Sequence, residues 1–318
     1  MTDGDILDLK PDLPDFRKEV LKGLESPSKW IHPKFFYDSN GSLLFDKITE
    51  LPEYYQTRTE NSLLMKSCNI LSTLLKDMEK AVEFGAGNGQ KSYSLIKCLP
   101  GLKEYILLDI SISSLKGAVK YLKTAYPHIG IRGVCTDYLN PQAMYMGEGT
   151  GKSLIVFLGS TIGNMEKQDS IAFLRSCNEG MSHGDAILIG VDIKKDKDVL
   201  ERAYNDSSGI TARFNLNVIE RIKKEFGVSI PEGTFVHKAF YNEDFGRIEM
   251  HLVCTRNFSM NLDGAIIRFS RGEEIHTENS YKYTPDEFIG MLSSSGFSKP
   301  ERLTDSRQYY SIFIARKP

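Results

Sequence analysis

Short apolar runs alternate with amphipathic helical patterns from about residue 80 to residue 194. Between the runs, apolar side chains recur at helical spacing, as at Leu115, Ala118 and Leu122. The runs have strand length and cover residues 81–84, 105–108, 129–135, 154–158 and 186–191. Because strands alternate with helices, the pattern predicts an α/β fold with a doubly wound, parallel sheet.

The flanking stretches, residues 1–57 and 195–281, lack this alternation. The first begins with a helical pattern at Phe16, and the second contains a long helical pattern with Phe214 and Val218 in register. Strand-like runs follow at residues 247–254 and 265–269. We therefore predict two domains, a sheet domain of residues 58–194 plus 282–318 and an α+β domain of residues 1–57 plus 195–281.

The C-terminal part predicts one helix and one strand. Thr284, Pro285 and Glu287 form a helix-start signal, in which the threonine caps, the proline takes the first helical position and the glutamate reaches back. Gly296 ends this helix, and the run at residues 310–315 predicts a final strand that completes the sheet.

Composition and charge narrow the classes of partner and location. Forty basic and 42 acidic residues give a formal charge of −2 without a basic cluster, which argues against a nucleic-acid partner. No apolar run is long enough to cross a bilayer, and the first five residues do not resemble a signal peptide. The five cysteines lack C-x-x-C spacing, so we expect reduced thiols in a cytoplasmic protein that acts on a small molecule.

A glycine-rich turn, Gly85-Ala86-Gly87-Asn88-Gly89, follows the first predicted strand. Glycines let the backbone approach a ligand, and an acid after the next strand, here Asp109, can accept hydrogen bonds from ribose hydroxyls. In a parallel sheet, ligands bind beyond the carboxyl ends of the strands, where Gly85, Asp109 and Asp137 would converge with the turn at residues 159–161. The segment therefore predicts a site for a nucleoside cofactor.

Two classes of cofactor fit such a site. The third glycine comes one residue too early for G-x-G-x-x-G, and the turn does not continue into the Gly-Lys-Ser/Thr of a phosphate loop. Glu83, just before the turn, favours a ligand that carries positive charge, and S-adenosylmethionine has a sulfonium and an ammonium group. We favour S-adenosylmethionine, with a dinucleotide-dependent dehydrogenase as the main alternative.

Five segments together are similar to one enzyme family. They read KFFYDSNGS at residues 34–42, LPEYYQTRTE at 51–60, FLGSTIGN at 157–164, AYNDSSGITA at 203–212 and GEEIHTENS at 272–280. With them the chain resembles the L-histidine N-alpha-methyltransferases of ergothioneine biosynthesis, from about residue 16 to the C-terminus. The resemblance implies a Rossmann-like methyltransferase domain that binds S-adenosylmethionine, a substrate domain, a monomer, and three successive methylations of the histidine α-amine that give hercynine.

The resemblance also implies a set of cofactor contacts. Asp109 binds the ribose, and Asp137 and Tyr138 lie near the adenine, while Lys91 is either a cofactor contact or an exposed residue at the start of a helix. The full set is Gly85, Ala86, Gly87, Lys91, Asp109, Asp137 and Tyr138. Two departures from the family pattern, Ala86 in place of serine and Gln56 in place of a common proline, remove no group that the chemistry needs.

The substrate pocket implied by the resemblance comes from both predicted domains. Asn164, Tyr54 and Tyr204 bind the amino-acid head group, and Tyr37, Tyr54 or an ordered water receives the amine proton. The catalytic candidates are thus Tyr37, Tyr54 and Asn164, and the substrate-binding residues are Phe45, Tyr54, Asn164, Tyr204, Met250, Glu278 and Ser280. Met250 alternates as a strand residue, so it belongs to the core as well as to the pocket wall.

The choice of amino acid depends on Glu278 and Ser280. In an extended segment, residues two apart point to the same face. A carboxylate and a hydroxyl match the one donor and one acceptor nitrogen of neutral imidazole, whereas an indole offers only a donor. The pair favours histidine; a methyltransferase of another amino acid, such as tryptophan or a derivative, and a non-catalytic scaffold are the alternatives.

We expect no metal. His276 has Glu273 and Glu274 nearby in the sequence, but no other histidine or cysteine is spaced to complete a ligand set.

Overall fold

A computed structural model describes residues 5–9, 16–137, 139 and 151–318. The chain divides into two compact units. The first contains the strand Ile6–Asp8, Gln56–Lys194 and Tyr281–Pro318, and the second contains residues 16–55 and Lys195–Ser280. The residues that were predicted to bind the cofactor belong to the first unit, and the predicted substrate residues other than Asn164 belong to the second.

The helices of the described residues are α1 (Phe16–Glu25), α2 (Ser39–Glu50), α3 (Tyr55–Lys66), α4 (Cys68–Leu74), α5 (Gln90–Ile96), α6 (Ile112–Ala125), α7 (Lys167–Gly180), α8 (Lys197–Arg202), α9 (Ile210–Phe226) and α10 (Pro285–Ser294). Short 3-10 turns cover Pro33–Phe36 and Thr161–Asn164. Thr284 and Glu287 form the predicted capping box at the start of α10. In the part of the chain that the structure describes, no helix has the length and apolar character needed to span a bilayer.

The strands are β1 (Ile6–Asp8), β2 (Met78–Phe84), β3 (Glu104–Asp109), β4 (Gly130–Cys135), β5 (Lys152–Phe157), β6 (Ala186–Asp192), β7 (Phe235–Asn242), β8 (Arg247–Cys254), β9 (Phe258–Leu262), β10 (Ala265–Phe269), β11 (Glu274–Tyr281), β12 (Glu301–Thr304) and β13 (Tyr310–Arg316). Each strand predicted between residues 80 and 194 is present, within three residues at either end.

An eight-stranded sheet with the order β1-β4-β3-β2-β5-β6-β13-β12 forms the centre of the first unit. The six strands from β1 to β6 pair in parallel, and β13 and β12 join them in antiparallel fashion. The predicted α/β fold with a doubly wound parallel sheet is therefore confirmed, and β12 and β13 add an antiparallel edge.

Helices cover both faces of this sheet because successive strand residues point to opposite sides. Ala81 packs in a buried cluster with Leu64 of α3 and Leu122 of α6. Its neighbour Val82 packs in a second cluster, with Phe173 of α7 and Phe288 of α10. The two clusters hold the strands rigidly enough for their carboxyl ends to present a ligand site.

Strand β1 differs from the predicted division, which assigned residues 1–57 to the second domain. Ile6 pairs with Gly133 and Asp8 pairs with Cys135 of β4, so backbone hydrogen bonds join this strand to the sheet of the first unit. A strand of three residues is too short to show an alternating pattern in the sequence.

Two of the five cysteines depart from the expectation of reduced thiols. Cys68 at the start of α4 and Cys98 after α5 form a disulfide, with 4.9 Å between their Cα atoms. Cys135, Cys177 and Cys254 are buried thiols outside this disulfide. The expectation is therefore wrong for the first pair, because the packing of α4 beside the end of α5 brings together two cysteines that are 30 residues apart.

The second unit combines a three-stranded sheet, ordered β11-β8-β7, with the hairpin of β9 and β10. Strands β7 and β8 are antiparallel, and Ala239 pairs with Met250. The long helix α9 packs against α2, β7 and β8. The helix predicted around Phe214 and the strands predicted at residues 247–254 and 265–269 are present as α9, β8 and β10.

Candidate active site

The glycine turn after β2 is fixed to the end of the neighbouring strand β3. The N–H groups of Gly85 and Ala86 both donate to the carbonyl of Leu108, at 2.8 and 3.1 Å. Gly85 and Gly87 have positive φ angles of 70° and 55°, which glycine adopts most readily. A Cβ atom added at either residue would meet no described atom within 4 Å, so the turn borders open space in which a ligand can approach the backbone.

Asp109 ends β3 beside this turn. Its Oδ2 accepts a hydrogen bond from Gly87 N at 2.9 Å, and its Oδ1 accepts one from Ser111 N at 2.8 Å. Burial raises the pKa of Asp109, and the hydrogen bonds from Ser111 and Gly87 oppose that rise. Each oxygen has a further lone pair, so the carboxylate can also accept hydrogen bonds from two ribose hydroxyls.

Asp137 follows β4, the strand next to β3. Its Oδ1 accepts a hydrogen bond from Leu139 N at 2.9 Å, and its side chain is half-buried. Thr136 N donates to Asp109 O at 3.1 Å, so both aspartates belong to the same edge of the sheet. Tyr138, which was predicted to lie near the adenine, falls outside the described residues.

Glu83 does not have the role expected from the sequence. Its carboxyl group is buried and accepts hydrogen bonds from the hydroxyls of Ser92 and of Tyr105, the latter at 2.8 Å. Burial raises the pKa of Glu83 to about 7, against the effect of these hydrogen bonds. A carboxyl group that is only partly ionised near neutral pH, and is bonded within the core, connects β2 to α5 and β3 instead of attracting a cationic ligand.

Lys91 contacts a fully buried carboxylate. Its Nζ lies 3.0 Å from Oε2 of Glu60, a residue of α3 with 0% exposure. Both carboxylate oxygens of Glu60 also lie 2.9 Å from Gly159 N, and Tyr310 donates its hydroxyl to Oε1 at 2.8 Å. The lysine thus neutralises a carboxylate that fixes the backbone just after β5, and it is half-buried, not exposed.

Asn164 ends the 3-10 turn that follows Gly159 and Ser160. Ser160 has a positive φ of 56°, and its hydroxyl accepts a hydrogen bond from Asp192 N at 2.9 Å. A Cβ atom at Gly163 would lie 2.7 Å from Tyr281 O, so only glycine allows this close approach. These contacts fix the backbone that carries Asn164, whose side chain is half-buried.

In the second unit, the catalytic candidate Tyr37 and four of the predicted substrate-binding residues form one continuous series of contacts. The ring centroids are 5.7 Å apart for Tyr37 and Phe45, 6.4 Å for Phe45 and Tyr54, and 6.3 Å for Tyr54 and Tyr204. Tyr204 then donates its hydroxyl to Ser280 Oγ at 2.8 Å. Aromatic faces next to polar hydroxyls suit a ligand that carries both an ammonium group and a hydrogen-bonding ring.

Tyr204 is positioned by residues that the sequence did not single out. His237 Nε2 lies 2.9 Å from Tyr204 O, and its Nδ1 lies 2.9 Å from Asn215 Nδ2. Because an amide nitrogen only donates, Nδ1 is the acceptor and Nε2 carries the proton of a neutral imidazole. Burial lowers the pKa of His237, which is consistent with that neutral form.

Asn215, on α9, also connects the strands that carry the remaining candidates. Its Nδ2 donates to His251 O at 3.0 Å, and its Oδ1 lies 2.8 Å from Thr277 Oγ1. The same Thr277 oxygen lies 3.0 Å from the carbonyl of Met250, which is 1% exposed. One fully buried amide therefore sets the relative positions of β7, β8 and β11.

Glu278 belongs to β11 and is half-buried. Its carbonyl oxygen lies 3.2 Å from His276 Nε2. Glu278, which was predicted to bind the imidazole, is therefore two residues along β11 from His276, a member of a histidine cluster.

Three possible metal ligands come together there, which the sequence did not indicate. One donor atom from each of Glu249, His251 and His276 lies within 4.8 Å of the other two. However, the two imidazole rings stack at 4.7 Å with an angle of 8°, so their lone pairs lie in two nearly parallel planes and do not converge on one ion. Arg247 Nε also lies 2.8 Å from Glu249 Oε1, and the cluster is explained by stacking and ion pairing.

Comparison with known proteins finds a matching family model and several similar relatives. The model of the family "Histidine-specific methyltransferase, SAM-dependent" matches residues 16–317. The chain is 35% identical over 310 residues to the histidine N-alpha-methyltransferase of Mycolicibacterium smegmatis, with 94% of each chain covered. It is 35% identical over 308 residues to the protein of the same name from Mycobacterium tuberculosis, with 95% of this chain and 94% of that one covered. Ergothioneine biosynthesis protein 1 of Schizosaccharomyces pombe is 26% identical over 316 residues, which are 96% of this chain and 40% of that one.

Proposed function

Because the chain belongs to the family of histidine-specific, S-adenosylmethionine-dependent methyltransferases, we propose that it methylates the α-amine of L-histidine three times, giving hercynine. The observation that carries the substrate assignment is the contact series in the second unit. It joins the residues assigned to the amino-acid head group, Tyr54 and Tyr204, to Ser280, which is assigned to the ring.

The residues of the first unit fit the cofactor. S-adenosylmethionine supplies an electrophilic methyl group on a positively charged sulfur. Asp109 offers two carboxylate oxygens beside the glycine turn, and the turn itself borders open space at Gly85 and Gly87. Asp137, just after the neighbouring strand β4, is the candidate residue for contact with the adenine.

The substrate residues act mainly by orientation. The amine lone pair must face the methyl carbon opposite the sulfur, at roughly 3–3.5 Å, for an N–C bond to form as the S–C bond breaks and sulfur keeps the electron pair. An α-amine is largely protonated at neutral pH, and each pKa unit above the ambient pH costs about 1.4 kcal/mol to overcome. Tyr37, Tyr54 or an ordered water receives that proton in our proposal.

The aromatic series also suits the products. Each methylation removes a hydrogen-bond donor from the nitrogen, and the third leaves a fixed positive charge. Faces of tyrosine and phenylalanine rings stabilise such a cation by about 0.5–2 kcal/mol each. Tyr37, Phe45 and Tyr54 provide these faces in one cluster of the second unit.

Selectivity for the ring rests on Glu278 and Ser280 in our proposal. Tyr204 donates to Ser280, so that bond uses a lone pair of the serine and not its proton. The serine hydroxyl then donates to the acceptor nitrogen of imidazole, and the carboxylate of Glu278 accepts from the N–H. Tryptophan, the substrate in the alternative function, has an indole N–H but no acceptor nitrogen for the serine hydroxyl.

We also propose that the enzyme is a cytoplasmic monomer that acts on a free amino acid. The balanced charge supports a small-molecule substrate. The Cys68–Cys98 disulfide argues against a cytoplasmic location, because disulfides are rare in cytosolic proteins. Alkylation of the protein directly in cell lysate, followed by mass spectrometry, measures whether these two thiols are oxidised.

Mass spectrometry of reactions with S-adenosylmethionine tests the function. We expect mono-, di- and trimethylated histidine and no methylated tryptophan when the two amino acids compete at equal concentration. Methylation of tryptophan in preference to histidine would favour the alternative, and the absence of any methylated amino acid would favour a non-catalytic scaffold.

A further inference from the structure

Gln56 carries a buried side-chain amide that finds no hydrogen-bond partner in the part of the chain that the structure describes. The residue is 3% exposed, and neither its Oε1 nor its Nε2 has a hydrogen-bond partner among the described residues. Burying an amide without partners is unfavourable, so such a group calls for an explanation by a ligand or an ordered water.

The position of Gln56 in the first unit points to a ligand. It precedes Glu60 by one turn of α3, and residues four apart lie on the same face of a helix. Glu60 contacts Gly159 N, directly after the carboxyl end of β5, and β5 pairs with β2, which leads into the glycine turn at Gly85. The face of α3 that carries Gln56 therefore covers the edge of the sheet where ligands of such folds bind.

The N-terminus of α3 also favours the binding of an anion. Gln56 lies in the first turn of a twelve-residue helix, whose leading N–H groups have no partners within the helix and carry partial positive charge. Carboxylates bind at such helix starts. The amide adds an N–H donor for a carboxylate and a carbonyl acceptor for an ammonium group.

We propose that the Gln56 amide binds the α-amino-acid head group of a ligand, donating from Nε2 to the carboxylate and accepting at Oε1 from the ammonium. S-adenosylmethionine and the amino-acid substrate share this head group, and the experiment below separates them. The cofactor half of the inference rests on family membership, and the substrate half rests on the proposed function.

Calorimetry on the ligand-free full-length protein tests the inference with Gln56→Met, which keeps the length of the side chain and removes both polar atoms. The ligands are S-adenosylhomocysteine, 5′-methylthioadenosine, which lacks the amino-acid part, and histidine added to protein saturated with S-adenosylhomocysteine. We expect the Kd of S-adenosylhomocysteine to rise about tenfold, as for the loss of a hydrogen bond to a charged group, with the Kd of 5′-methylthioadenosine unchanged.

The matched control is Ser42→Ala, since Ser42 Oγ is likewise buried without a partner but lies on α2 of the second unit. It should leave all three Kd values unchanged. If Gln56→Met does not fold, Gln56→Pro replaces it, because proline is tolerated in the first turn of a helix. Thermal unfolding of the ligand-free variants should show an unchanged or raised Tm, since an unsatisfied polar group is removed.

The outcomes separate cleanly. A loss confined to S-adenosylhomocysteine assigns Gln56 to the cofactor, and a loss confined to histidine assigns it to the substrate; both support the inference. Unchanged Kd values for both ligands, or equal losses for S-adenosylhomocysteine and 5′-methylthioadenosine, would overturn it and leave the amide to ordered water or to packing. Turnover of histidine by the wild-type enzyme, measured in parallel, judges the proposed function independently.

Discussion

Tyr204 donates its hydroxyl to Ser280 Oγ at 2.8 Å, across 76 residues of sequence. The ring of Tyr204 also lies 6.3 Å from that of Tyr54. One tyrosine therefore contacts both the part of the second unit assigned to the amino-acid head group and the part assigned to the imidazole ring. A change at either end of this bond should alter how the substrate is bound as a whole.

We expect Tyr204→Phe and Ser280→Ala each to raise the KM for histidine about tenfold, because each removes the hydrogen bond between these two side chains. The double variant should lose little more than Ser280→Ala alone, since Ser280→Ala already removes the bond that Tyr204→Phe removes. Steady-state kinetics of the three variants measure this. Tyr126→Phe, which removes the hydroxyl that donates to Tyr93 O at 2.7 Å in the first unit, is the control and should leave KM unchanged. Fully additive losses would show that the two residues act separately.

Glu278→Gln tests the assignment of the ring. The amide can still accept a hydrogen bond but loses the negative charge, so we expect kcat/KM for histidine to fall about tenfold or more, as for a charge-assisted bond. Activity towards apolar amino acids should change little. Glu274→Gln is the control on the same strand, where Glu274 pairs with Lys238 at 2.7 Å. Equal losses for histidine and for apolar amino acids would mean that Glu278 does not contact the ring.

Gly87→Ala tests the glycine turn as the cofactor site. A positive φ costs an alanine about 1 kcal/mol, and its Cβ would point into the open space beside the turn. Gly272 in the second unit has a φ of 87° and equally open surroundings, so Gly272→Ala should cost a similar amount of stability. We expect only Gly87→Ala to weaken binding of S-adenosylhomocysteine, measured by calorimetry. An unchanged affinity would place the cofactor away from this turn.

The sequence predicted the elements whose patterns are local. Strand β8 has the predicted bounds because polar and apolar residues alternate over most of its length, and β10 has them because it is a short, mainly apolar run. The roles of Asn215 and His237 were not predictable, since their hydrogen bonds depend on how α9 packs on the sheet and not on any nearby pattern. The expected role of Glu83 failed for the same reason, because its hydroxyl partners come from α5 and β3.

Stability should depend on pH through His237. Burial lowers its pKa in the folded protein below 6.5, so the unfolded chain binds the proton more readily. The contribution to stability is therefore complete above the unfolded pKa and is lost as the pH falls from about 6.5 towards the lower folded value. In His237→Gln, the free energy of unfolding should therefore change less between pH 7 and about 5.5 than in the wild-type protein. The difference should reach at most about 1.4 kcal/mol for each pKa unit by which folding lowers the pKa of His237. Equal slopes for both proteins in chemical denaturation would contradict this prediction.

The position of the transferred methyl groups tests the central claim most directly. Histidine is incubated with the enzyme and with S-adenosylmethionine that carries an isotopic label in its methyl group, and the product is examined by NMR. We predict that all labelled methyl carbons correlate with the Cα proton of histidine, as in a trimethylated α-amine. Correlation with the ring carbons of the imidazole, or labelled methyl groups in no histidine product at all, would contradict the assignment.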